Sequence, residues 1–156
     1  MDKLIIKLID ESIKVETNLS KLYSLFGKLF TEDSAFWLQL ASEERDHASL
    51  LHSGKTISSV TDNFPIDILS QDLEKIIQTN KMLEQLIFSS KDLSNREEAC
   101  KIALKIELSS SELSFQRFMD KVPENTLSKI FVKLNYFDKN HAKRICEYFK
   151  IIDTGF

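Results

Sequence analysis

The chain has 156 residues, 42% hydrophobic and 29% charged, a balance that excludes a disordered acidic chain and suits one globular domain over 1–156. The net charge of −3, with basic residues scattered rather than blocked, gives no electrostatic reason to expect nucleic acid or a membrane surface as partner. Three Gly and two Pro leave few breaks, so long helices are the economical reading, and no apolar run approaches the roughly 18 residues of a membrane span.

The spacing predicts a first helix from about Ile5 to Phe30, with Ile5, Ile9, Ser12, Glu16, Leu19, Tyr23, Phe26 and Phe30 on a four-three seam. Thr31 to Ser34 supplies an N-cap and first-turn acids for a second helix. That helix carries Trp37, Leu40, Glu44, His47 and Leu51 on one stripe and is expected to stop near Gly54. Residues 55–65 have loop chemistry. An additional helix follows, about Ile66 to Phe88, with Leu69, Leu73, Ile76, Leu83 and Ile87 as its stripe.

After a loop, Ser94-Asn95-Arg96-Glu97 has the form of a capping box. It opens a helix to about Lys121 with Cys100, Ala103, Glu107, Ser110, Ser114 and Phe118 along one side, broken by Val122-Pro123. The last helix shows Leu127, Phe131, Leu134, Asp138, His141, Ile145, Tyr148 and Ile152 on an uninterrupted seam. The expected architecture is therefore all-α: an antiparallel four-helix bundle with an additional helix in the long crossover between its two hairpins.

Within that bundle one pattern occurs twice. Glu44 and His47, and again Asp138 and His141, are three apart, so a helix brings each pair to one face. A glutamate precedes each pair, Glu16 by 28 residues before Glu44 and Glu107 by 31 before Asp138. Glu16 and Glu44 each lie about 14 residues from the first turn, and at about 1.5 Å per residue they meet at one level. Glu107 and Asp138 stand in the same relation to Val122. Four carboxylates at core positions repel one another and are costly to desolvate. Divalent cations with oxygen and imidazole ligands remove that cost, so Glu16, Glu44, His47, Glu107, Asp138 and His141 read as the ligand set of a dinuclear metal centre. The alternative is a polar layer in which Glu16 and Glu107 bond His47 and His141 with no metal.

Tyr23 lies two turns from Glu16 on the same seam and is placed to hydrogen-bond a ligand carboxylate or, equally, to serve as a core tyrosine. His52, near the expected helix end, reads as a surface residue, and Glu43, Asp46, Glu11 and Glu112 as solvated charges. Cys100 and Cys146 are 46 apart without a Cys-x-x-Cys, which suits reduced thiols in a cytoplasmic protein, and Met1 to Glu11 shows no uninterrupted export segment.

With these residues the chain resembles the rubrerythrin-type members of the ferritin-like superfamily, outside roughly residues 55 to 93. Glu16 with Tyr23 is similar to that family's first-helix pattern, and Glu44-Arg45-Asp46-His47-Ala48 to its second-helix motif. The resemblance implies terminal ligands at Glu16 and Glu107, bridging carboxylates at Glu44 and Asp138, and a histidine, His47 or His141, on each ion. It implies two iron ions that react with peroxide or dioxygen, and dimers are common in the superfamily. Asp138 departs from the family's glutamate by one methylene. Ser110 stands where peroxidase members often carry a further carboxylate, and no rubredoxin module is attached, which leaves the electron donor unnamed. The expected function is a di-iron oxidoreductase of peroxidase or ferroxidase type. The alternatives are a protein that holds iron, manganese or zinc without redox turnover, and a helical interaction module with a vestigial site.

Overall fold

The computed structural model describes residues 2–61, 64, 72–108 and 141–150, and all regular secondary structure among them is helical. Helix α1 spans Lys3–Leu29, its first turn capped by the Asp2 carboxylate, which accepts from the Leu4 amide. A single 3-10 turn, Thr31–Asp33, separates it from α2, Ser34–Thr61. So short a link makes the two helices an antiparallel hairpin. Ser20 donates to the Ala41 carbonyl across it, and a Cβ at Gly27 would lie 3.0 Å from Leu38 Cγ, so this glycine lets the helices approach near their turn.

The buried face of α1 is wider than the seam. Leu8, Val15, Asn18 and Leu22 are buried beside Ile9, Glu16, Leu19, Tyr23 and Phe26. The additional helix is the cause. Helix α3, Leu73–Ser89, starts from an Asp72 cap and lies along α1 in the same direction, so that its end leads to Arg96 at the hairpin end. There Asn80 pairs with Asn18 at 3.2 Å and donates to the Glu11 carbonyl at 2.9 Å, while Lys14 pairs with Glu84 at 2.8 Å. Buried amides bonded to each other set the height at which α3 rests on α1.

Two boundaries differ from expectation. Helix α2 does not stop at Gly54 but continues to Thr61. Gly54 is buried inside it, and the hydroxyls of Ser53, Thr56 and Thr61 bond carbonyls one turn back on the same helix instead of turning the chain. The cap of α4, Arg96–Glu107, is Asn95 rather than Ser94; its side chain accepts from the amides of Glu97 and Glu98. Helix α5, His141–Phe149, runs antiparallel to α4 and also meets α2. The expected start of α3 before residue 72, the course of α4 beyond residue 108, and the last helix before His141, with Asp138, Ser110 and Glu112, lie outside the described residues.

At the hairpin end of the molecule, Trp37 is fully buried among aromatic rings from three helices, Tyr23 and Phe26 of α1, Phe36 of α2 and Phe149 of α5. Arg96 of α4 grips the buried Asp33 with two hydrogen bonds, and Tyr148 of α5 donates to the same carboxylate. These contacts hold α4 and α5 onto the α1–α2 hairpin. No described helix is long and apolar enough to cross a membrane.

Candidate metal centre

Glu16 of α1, Glu44 and His47 of α2, Glu107 of α4 and His141 of α5 are all at most 6% exposed. Their side chains meet in one place. They form two overlapping groups, Glu16 with Glu44 and His47, and Glu44 with Glu107 and His141, and within each group one ligand atom per residue lies within 4.8 Å of the others. Glu44 belongs to both. Its Oε2 lies 3.0 Å from His47 Nδ1 and its Oε1 lies 2.9 Å from His141 Nδ1, so each oxygen faces a different imidazole. The two rings stand 5.8 Å apart and nearly parallel, at 17°. Glu16 Oε2 is 3.5 Å from His47 Nδ1, and Glu107 Oε1 is 3.4 Å from His141 Nδ1.

Helical spacing explains the convergence. Glu44 and His47 are one turn apart on α2, and the short turn at Thr31–Asp33 brings Glu16 to their height. Asp138, predicted to pair with His141, lies outside the described residues, and His141 is brought to the cluster as the first described residue of α5. The Tyr23 hydroxyl donates to Glu107 Oε1, a short bond across the bundle to the opposite half-site rather than to Glu16 on its own helix. His52 is exposed. Cys100 is buried, and burial together with the neighbouring Cys146 pushes its thiol up to about 11.

The electrostatics show a cluster in need of positive charge. Burial pushes the Glu16 carboxyl up to about 7, against the pull of His47 and with the help of the Glu44 charge. Burial acts on Glu44 in the same direction, but the charges and hydrogen bonds of His141 and His47 overcome it and leave that carboxyl far below its ordinary range. Burial disfavours a charged His141, yet the Glu44 and Glu107 carboxylates outweigh it and raise its pKa well above the usual 6.5. Glu16 Oε2, Glu44 Oε1 and Glu107 Oε2 are buried and accept no directed hydrogen bond from the described residues. Such atoms are costly in an apolar interior unless a cation meets them. Hard carboxylate oxygens with imidazole nitrogens suit iron, manganese or zinc.

Glu43 corrects the sequence reading. It is not a solvated charge: its side chain is 13% exposed, its Oε2 lies 3.1 Å from His141 Nε2, and Arg144 holds both its oxygens at 2.6 and 3.0 Å. Burial opposes its ionisation, but His141 and Arg144 bring its pKa down to about 2. A carboxylate on the far nitrogen fixes the ring so that Nδ1 faces the cluster. No pattern within one helix could reveal this, because Glu43, His141 and Arg144 become neighbours only when α5 docks on α2. Replacing Glu43 with Ala is expected to weaken any metal binding at Glu44, Glu107 and His141 by about 10–100-fold and to leave binding at Glu16, Glu44 and His47 little changed. A metal titration resolving two steps checks this, and equal weakening of both steps would count against the assignment.

No protein-family model, no curated protein and no solved structure matches this chain.

Proposed function

We propose that the chain is a dinuclear metal carboxylate protein of ferritin-like architecture, with two iron ions as the metal pair, acting as an oxidoreductase that uses peroxide or dioxygen. One observation carries this reading: the buried Glu44 directs one oxygen to each of two histidines and is shared by both groups of ligand atoms. A carboxylate in that position would bridge two ions. Glu16, Glu44 and His47 would hold one ion, and Glu44, Glu107 and His141 the other. A bound iron pair supplies two electrons to one oxidant at one place.

The protein's own groups prepare the site. Tyr23 orients Glu107 and shields it from water, and the Arg144–Glu43 pair orients His141. Leu19, Leu40 and Leu51, all buried on α1 and α2, and Ile106 beside Glu107 contribute to a dry, low-dielectric surround in which charge compensation by carboxylates is strong.

Elemental analysis of protein purified without chelator tests the reading, followed by visible spectra before and after peroxide. About two irons per chain, with an absorption band that peroxide produces and reduction abolishes, is the expected outcome. Zinc or manganese with no redox response would replace it with metal handling alone.

Binding should also depend on pH in a defined direction. Because Glu16 titrates at about 7 in the metal-free protein, a metal must displace its proton below that pH. Affinity is then expected to fall by up to about tenfold per pH unit for each proton displaced as pH drops from 7 towards 5. Calorimetry in buffers of different ionisation enthalpy would report the released proton, and a pH-independent affinity would contradict the ligand role of Glu16.

A further inference from the structure

The dinuclear centre is linked to the surface by aromatic rings. Tyr23, whose hydroxyl donates to the ligand carboxylate Glu107, stacks on Trp37 with ring centroids 5.8 Å apart. Trp37 touches Phe36 at 5.4 Å and Phe149 at 5.5 Å, and both touch Tyr148, at 4.1 and 5.1 Å. Tyr148 is 42% exposed and lines an open cavity of about 620 Å³ with Arg96, Cys100, Lys101 and Leu104.

The hydrogen bonding along this row is selective. Both phenols donate to carboxylates, Tyr23 to Glu107 and Tyr148 to Asp33. A phenol loses an electron easily only if its proton has somewhere to go, and each of these has an acceptor in place. The Trp37 indole nitrogen is buried and bonded to no acceptor among the described residues. An indole that has lost an electron there keeps its proton, so it passes charge on instead of trapping it.

The geometry points to Tyr148, Trp37 and Tyr23 as an electron relay between a small anionic one-electron donor at the Tyr148 cavity and the dinuclear centre. It rests on the redox reading of that centre. Reduction of peroxide to two waters takes two electrons and two protons. An enediol monoanion of the ascorbate class gives up the two electrons at the cavity, releases its one proton to solvent there and is oxidised to the diketone, while solvent supplies the two protons taken up with the peroxide. Arg96, Lys101 and Lys150 outnumber Glu97 in the cavity lining and favour the donor's negative charge. Electrons cross one at a time. Each phenol shifts its proton to its carboxylate as it is oxidised and recovers it when reduced, so the relay is unchanged after each passage. The phenylalanines bridge the rings and are not themselves oxidised.

Flash photoionisation of Trp37, the single tryptophan of the chain, tests the relay in metal-free protein. The indole radical should decay as a phenoxyl radical grows, and the Tyr23→Phe/Tyr148→Phe double variant should prolong it by about tenfold or more. Equal lifetimes in the two proteins would overturn the relay. In iron-loaded protein oxidised with peroxide, Tyr148→Phe should slow re-reduction by ascorbate by about tenfold with iron content per chain unchanged, and an unchanged rate would overturn the donor's entry point. Failure of the native chain to bind iron would instead sink the dinuclear reading, a result that the metal-free flash measurement does not depend on.

Discussion

Glu44→Gln is expected to lose both metal ions at once, while Glu16→Gln loses one. The reason is geometric. Each of the two ligand groups contains Glu44, whereas Glu16 belongs to one of them. An amide in place of the carboxylate keeps the size of the side chain but removes the anionic oxygen offered to each ion, and a neutral amide is a poor ligand for a hard divalent cation. Metal per chain should drop from about two to near none in the first variant and to about one in the second.

The effect of Glu44→Gln on folding should be much smaller than its effect on metal. Removing the charge takes away a partner of His141, a loss that for a buried pair is of order 3–5 kcal/mol. It also relieves repulsion against Glu16, and Gln retains an oxygen that can accept from His47. The two effects oppose each other. Thermal unfolding of the metal-free variants would show whether the cluster is built for metal or for stability. A large drop in Tm with metal content preserved would defeat the proposed function.

Trp37→Ala is expected to produce the largest loss of stability of any single substitution near the site, about 3–5 kcal/mol. Trp37 is fully buried and touches rings from α1, α2 and α5, so an alanine there leaves a cavity that three helices would have to collapse to fill. For a chain of this size the loss corresponds to a Tm lower by roughly 6–20 °C. Trp37→Phe should keep most of the packing. If Trp37→Ala costs less than about 1 kcal/mol, the docking of α5 on the hairpin is not as described. Loosening this layer should also free Tyr23 from its stacked position and weaken its hold on Glu107, so metal affinity should fall with stability in Trp37→Ala and less so in Trp37→Phe.

The helices at Lys3–Leu29 and Ser34–Thr61 were legible because their apolar residues recur at helical spacing and a polar turn separates them. The same periodicity placed Glu16, Glu44, His47, Glu107 and His141 on core-facing stripes, where five of the six residues expected to ligate are found buried together. Asp138 lies outside the described residues. Periodicity was silent about where a helix ends when the signal is a single glycine. Gly54 has no left-handed cap to impose, and the hydroxyls of Thr56 and Thr61 that follow it are satisfied by the helix itself.

Local spacing is a property of one helix, and the chain alone was enough to establish which residues share a face and at what height. Which faces meet depends on how the helices dock. The Asn18–Asn80 pair that seats α3 on α1, the Arg96–Asp33–Tyr148 group that closes the hairpin end, and Glu43 with Arg144 behind His141 each join residues more than 60 positions apart. Tyr23 was visible as a polar residue on the seam, but its partner, Glu107, is 84 positions away. Such pairs arise only when buried polar groups from different helices find their complements, because an unpaired carboxylate, amide or phenol in the interior is too costly to leave unmatched.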